Sequence, residues 1–234
     1  MDSSFNLNLQ RLALQIVPFF MAVIFHEVAH GWVANRWGDS TAKDYGRITF
    51  NPAPHVDLMG TLILPVLMMV SGSGILFGWA KPVPIDPSRF KKFRPGLFWV
   101  SAAGPLMNFA LAVVSAFAFA LMNRFMPADF SLAEPLAGMA FISVSLNFSL
   151  GIFNLLPIPP LDGSKIVESF LPYNALRKYE QFAQYSFWIL LALLLSGALS
   201  ILSGPIQFFS KLVLGIAFSI VGLPGAEAGG GLEG

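Results

Sequence analysis

Apolar residues gather into six long runs separated by polar stretches, against the roughly 20 residues that a helix needs to cross a bilayer. The first extends from about Leu12 to Ala34 and contains Pro18. The second, Leu58 to about Trp79, has a short apolar part that breaks at Ser71-Gly72-Ser73-Gly74. The others cover about Gly96–Met122, Pro135–Leu156, Phe182–Leu202 and Pro205–Leu223, the last with Lys211 inside it. Residues 36–57 read as turns and short strands, because Tyr45-Gly46-Arg47-Ile48-Thr49-Phe50 has strand-like composition between turn residues. Residues 157–181 open on a proline-rich turn and continue as an amphipathic helix. The pattern predicts an all-α polytopic membrane protein with about five transmembrane helices, a re-entrant segment and short membrane-associated β-strands. No repeat of the solenoid kind interrupts it.

Composition sharpens this picture. Hydrophobic residues make up 55% and charged residues 12%, against roughly 25% charged in a soluble domain, which excludes a soluble globular fold. A net charge of +1 gives nucleic acid no electrostatic purchase. The chain has no Cys, so disulfides and thiolate metal sites are excluded. The first run holds ionisable groups and lacks a small-residue cleavage site, so it is not expected to be a cleaved signal peptide. Residues 1–224 are expected to form one domain, and the Gly-rich residues 225–234 a flexible tail left by expression engineering.

The three histidines are His26, His30 and His55, and two of them lie inside the first run as His26-Glu27-Val28-Ala29-His30. Histidines four apart share one helix face, about 6 Å apart along the axis, so both imidazoles reach one metal ion. The intervening Glu27 is close enough to take a proton from a water on that metal. Three ionisable groups in one apolar span are costly without a function. Catalytic zinc usually has three protein ligands and one open position. A metzincin pattern would continue after His30 with a glycine and then a histidine ligand, but Val33 and Arg36 stand at those positions. The candidates for the third ligand are His55, Asp39, Asp44, Asp57, Asp86, Asp162 and Glu168. Asp162 is the best placed: it follows Asn154-Leu155-Leu156-Pro157-Ile158-Pro159-Pro160-Leu161, whose prolines end regular helix at the membrane border. Extended backbone at membrane depth is tolerated where it lines a cavity.

Together these features resemble the site-2 protease family of intramembrane zinc metalloproteases. The resemblance rests on HExxH at 26–30, on Asn51-Pro-x-x-His55-x-Asp57, on Gly104-Pro105-Leu106-Met107-Asn108 and on Asn154 to Gly163. It implies that His26, His30 and Asp162 bind Zn2+, that Glu27 is the general base, and that Asn154 holds substrate or the developing oxyanion. It also implies membrane-anchored protein substrates cut in or near their transmembrane segments. The chain is expected to belong to the minimal branch of that family, without PDZ or CBS domains.

For Asp162 to meet the histidines, the ends of the first and fourth runs must lie on one side of the membrane. The second run must then dip in and return. That side carries Arg36, Lys43, Arg47, Lys81, Arg89, Lys91, Lys92, Arg94, Lys165, Arg177 and Lys178, eleven of the 14 basic residues. The positive-inside rule puts it, and the mouth of the site, at the cytoplasm of a bacterial or archaeal plasma membrane. His55 is a second candidate oxyanion donor, and Asn108 is read as an interhelical packing residue. Residues 78–84 are extended by Pro82 and Pro84 and are expected to clamp an unwound substrate through the N–H groups of Trp79, Lys81 or Val83. The rival class is a membrane transporter or metal permease using the same His and Asp side chains.

Overall fold

The computed structural model describes residues 3–63, 81–127 and 129–223. They form an all-helical bundle: α1 (Ser3–Trp37), α2 (Phe93–Phe125), α3 (Ala133–Asn154), α4 (Asp162–Phe170), α5 (Tyr173–Ala183), α6 (Ser186–Leu195) and α7 (Ser203–Val221). Among the described residues, four stretches are long and apolar enough to cross a membrane: Leu14–Trp37, Phe93–Phe125, Ala133–Asn154 and Ala198–Val221.

Long α2 is the centre of the bundle, packing against α1, α3, α4 and α7. Small residues make that possible. Ala112, Ala116 and Ala120, one helical turn apart, are fully buried against Val144 and Phe148 of α3 and Ala217 and Phe218 of α7. A second cluster, Ala34, Phe90, Leu97 and Val100, joins the end of α1 to the start of α2. There the Lys91 N–H donates to the Trp37 carbonyl at 2.8 Å. Arg94 reaches the carbonyl of Leu171, just past α4, at 3.0 Å. The end of α1, the start of α2 and the end of α4 therefore share one end of the bundle.

Two sequence expectations change. The run Phe182–Leu202 does not make a spanning helix. Its apolar helix, α6, has 10 residues, about 15 Å of length against a hydrocarbon core of roughly 30 Å. It stops at Gly197, which has φ +72°, and a 3-10 turn, Ala198–Leu202, leads into α7. The described residues thus hold four candidate spans rather than about five. The second correction concerns strands: the described residues contain none. Residues 45–47 instead close the helical turn Thr41–Asp44. Gly46, at φ +63°, donates to the Lys43 carbonyl and Arg47 to that of Ala42, the paired bonds of a Schellman cap. Residues 58–63 form a π-helical turn, Leu58–Ile63, and the rest of the expected re-entrant segment lies outside the described residues, as does the tail from 225.

Candidate metal centre

Helix α1 places His26 and His30 one turn apart on the face that meets α2, both buried. What α2 offers at that level is Gly104. A Cβ there would come within 2.5 Å of His26 Nε2 and closer still to His30 Nε2, so only glycine leaves room for the ring nitrogens. Next to it, Pro105 has no N–H for the preceding turn and its ring crowds the carbonyls there. One turn before Gly104, the Val100 carbonyl accepts from His30 Nδ1–H at 2.6 Å.

The second imidazole is oriented by side chains. His26 Nδ1–H donates to Asn108 Oδ1 at 2.6 Å. Asn108 is fixed in turn, because its amide donates to the Ala22 carbonyl at 3.2 Å and to Asn147 Oδ1 at 2.9 Å. Asn147 anchors itself on the Ser143 carbonyl at 2.9 Å. Asn108 and Asn147 are buried in the bundle centre. Asn108 is therefore more than the packing residue expected from sequence: it sets the tautomer of His26.

With both Nδ1 atoms acting as donors, each neutral ring turns a bare lone pair at Nε2 inward. The two Nε2 atoms are 3.0 Å apart. Asp162, the first residue of α4, closes the triangle: Oδ2 lies 3.1 Å from His26 Nε2 and Oδ1 lies 3.3 Å from His30 Nε2. Asp162 Oδ2 is buried with no hydrogen-bond donor, which follows from the lone pair opposite it. Three acceptors crowded together call for a positive charge between them. Tetrahedral ligands about 2.1 Å from zinc sit roughly 3.4 Å from each other, a little more than the 3.0, 3.1 and 3.3 Å of this N, N, O set.

Gly163 explains why a glycine follows Asp162. Its φ is not in the left-handed region, so it is not a turn glycine. A Cβ there would run into the backbone carbonyls of Leu155 and Leu156, and its absence lets α4 begin against the end of α3. The Tyr179 hydroxyl of α5 donates to the Pro157 carbonyl at 2.9 Å, tying down the loop that presents Asp162. Burial, then the charge of Glu168, raises the Tyr179 pKa and keeps that proton in place.

The other candidate ligands have local partners. Fully buried Asp39 accepts from Thr41 N–H and its hydroxyl and, at 2.7 Å, from Asp86 N–H. Asp44 accepts from the Ser40 hydroxyl at 2.7 Å, and Asp57 caps the turn at Gly60 at 2.8 Å. Asp86 accepts from Ser88 and Arg89, which lower its pKa, and Glu168 pairs with Lys165 at 3.0 Å. His55 stands apart from the cluster too. Its Nε2–H donates to the Thr49 carbonyl at 2.9 Å. The His55 carbonyl accepts from Lys81 N–H at 2.9 Å. Asn154, at the end of α3, turns its amide back to the Leu150 carbonyl at 3.0 Å.

Glu27 lies beside the cluster, and its Oε2 accepts from the Val83 N–H at 2.7 Å. The sequence pointed to Val83 for a different purpose. Lys81 and Val83 give their N–H groups to His55 and Glu27, and the Lys81 and Pro82 carbonyls accept from Arg47 at 2.7 and 3.2 Å. Pro82 and Pro84 have no N–H to give. Residues 81–84 therefore have no free donor row for a substrate strand, and Trp79 lies outside the described residues.

A model of Peptidase family M50 matches residues 126–197. The chain is 38% identical over 196 residues to "Putative zinc metalloprotease YwhC" of Bacillus subtilis, covering 82% of this chain and 85% of the relative. The chain belongs to peptidase family M50. Within that family it is also 32% identical over 187 residues to "Putative zinc metalloprotease Rip2" of Mycolicibacterium smegmatis, across 80% of this chain and 68% of the relative. No solved structure matches the chain. As an M50 peptidase it is a zinc metalloprotease, as its HExxH implied, and the transporter reading falls. Its apolar helices fit an integral membrane protein.

Proposed function

We propose that the protein is an intramembrane endopeptidase that cuts membrane-anchored substrates in or near their transmembrane segments. The observation that carries this reading is the triangle of His26, His30 and Asp162 where the candidate spans of α1 and α2 meet α4, with Glu27 beside it. In this reading the three residues hold zinc. When bound, zinc polarises the scissile carbonyl and lowers the pKa of a water towards about 7. Glu27, held through Oε2 by Val83, takes a proton from the attacking water at Oε1 and passes it to the leaving amine nitrogen. Asn108 keeps His26 Nδ1 protonated so that Nε2 faces the metal. Asn154 donates to the oxyanion once its amide swings from the Leu150 carbonyl.

The site opens to the cytoplasm, and residues 38–92 make no net crossing. This topology is supported by the bond between Lys91 and Trp37, which brings both ends of that stretch together, and by the basic residues gathered there. Glu27→Gln tests the chemistry: the purified variant is expected to keep one zinc per chain and lose at least about 100-fold in cleavage of a transmembrane substrate. Near wild-type cleavage would end the general-base assignment. Asp162→Ala is expected to lose zinc and activity together, and full zinc occupancy would unseat it as a ligand. Labelling of a single Cys at position 89 from outside intact cells would overturn the topology.

A further inference from the structure

The outer side of the α1–α2 pair carries a cavity of about 800 Å³ that none of His26, Glu27, His30 and Asp162 lines. Helix geometry sets it apart from the metal centre. Ala29, Trp32, Val33 and Arg36 follow one stripe of α1, facing away from Glu27. Trp99, Ala103, Leu106 and Ala110 follow a stripe of α2 turned away from Gly104 and Asn108. Alanines make the floor and large apolar side chains the walls, so the cleft is long and narrow. Three of the chain's five tryptophans, Trp32, Trp37 and Trp99, line it.

Its polarity is one-ended. Arg36 closes the end where the candidate span Leu14–Trp37 leaves the membrane, with its guanidinium 4.5 Å from the centre of the Trp32 ring. Lys91 Nζ lies 3.4 Å from the Arg36 carbonyl, which brings a second cation to that end. Among the described residues, neither forms an ion pair with a carboxylate. Tryptophan favours the membrane–water interface, and basic pockets between membrane helices attract anionic headgroups.

We propose that this cleft is a binding site for one anionic phospholipid, with an acyl chain between α1 and α2 and the headgroup phosphate on Arg36 and Lys91. Charge complementarity selects this occupant. The lining is apolar apart from one cationic end, which is the outline of a single-tailed segment with a negative head. A zwitterionic lipid would bring its own cation to two others. A protein helix seated there would need an acidic residue at the register of Arg36 and Lys91.

Tryptophan fluorescence of the full chain in phosphatidylcholine vesicles tests the site. Trp79 and Trp188 are replaced by Phe, and zinc content verifies the fold. Phosphatidylglycerol with brominated acyl chains is expected to quench the three cleft tryptophans at a mole fraction at least about fivefold lower than brominated phosphatidylcholine, the selectivity that one basic residue confers. Arg36→Gln is expected to remove most of that preference. Ala110→Phe, a change at an exposed position of α2, is expected to fill the floor and abolish the saturable component for both lipids. Equal quenching by the two lipids in the parent protein would overturn the proposal, as would a preference that survives Arg36→Gln. Relief of quenching by a transmembrane helical peptide would reassign the cleft to protein and overturn it as well.

Discussion

Two stretches of α2 use the same device for different ends. From Val100 to Asn108, the helix meets imidazoles; from Ala112 to Ala120, it meets other helices. Small residues create the approach in both. At Gly104 the missing volume is taken by ring nitrogens, and His26, Asn108 and Asn147 form a continuous hydrogen-bonded chain around it. At Ala112, Ala116 and Ala120 the missing volume is taken by Phe148 and Phe218, with no polar atom involved. The spacing of small residues foretells that something comes close, and the neighbouring helix decides what. The first stretch carries chemistry at the cost of buried polar groups that must all be satisfied. The second carries stability.

Substitutions that act on only one of the two stretches break this comparison most directly. Gly104→Ala is expected to abolish zinc binding and cleavage, measured by metal analysis of purified protein, because its methyl group lands on the Nε2 atoms. Ala116→Leu is expected to cost about 1–3 kcal/mol of stability while the folded fraction keeps its zinc. Zinc retained in the first variant, or lost in the second, would erase the distinction. The next largest effect is expected from Val83→Pro, which deletes the donor to Glu27: a loss of roughly 10- to 100-fold in cleavage rate with zinc unchanged. Asn108→Leu releases His26 Nδ1 and is expected to weaken metal affinity about 10- to 100-fold in a chelator competition. Asn147→Leu acts only through Asn108 and should fall short of that. Smallest of all, Ser115→Ala removes a 2.8 Å bond to Ser143 and should cost about 1 kcal/mol in thermal unfolding, with no change in zinc affinity.

The grouping of His26, His30 and Asp162 was legible because its logic is local at both ends. A histidine pair four apart declares a shared helix face, and prolines before Asp162 declare a break in helix at the right depth. The four candidate spans were legible from hydropathy, with small shifts at their ends. The partners of these residues were not. Nothing near Val83 in the chain announces that its N–H meets Glu27, 56 residues earlier. Nothing near Asn147 in the chain announces its bond to Asn108, 39 residues earlier. The strand expected near residues 45–50 failed on a competing local signal, since Gly46 serves a Schellman cap. The expected span Phe182–Leu202 failed because apolar composition cannot tell a spanning helix from a short helix, a left-handed glycine and a tight turn.

The bond between Val83 and Glu27 has a consequence for any survey of this enzyme by mutation. The group that holds the Glu27 carboxylate is a peptide N–H, which every amino acid but one supplies. Replacement of each side chain by alanine would read position 83 as a packing site and pass over its bond to Glu27. Only a change to the backbone itself, by proline or by an ester in place of the amide, would make that position visible.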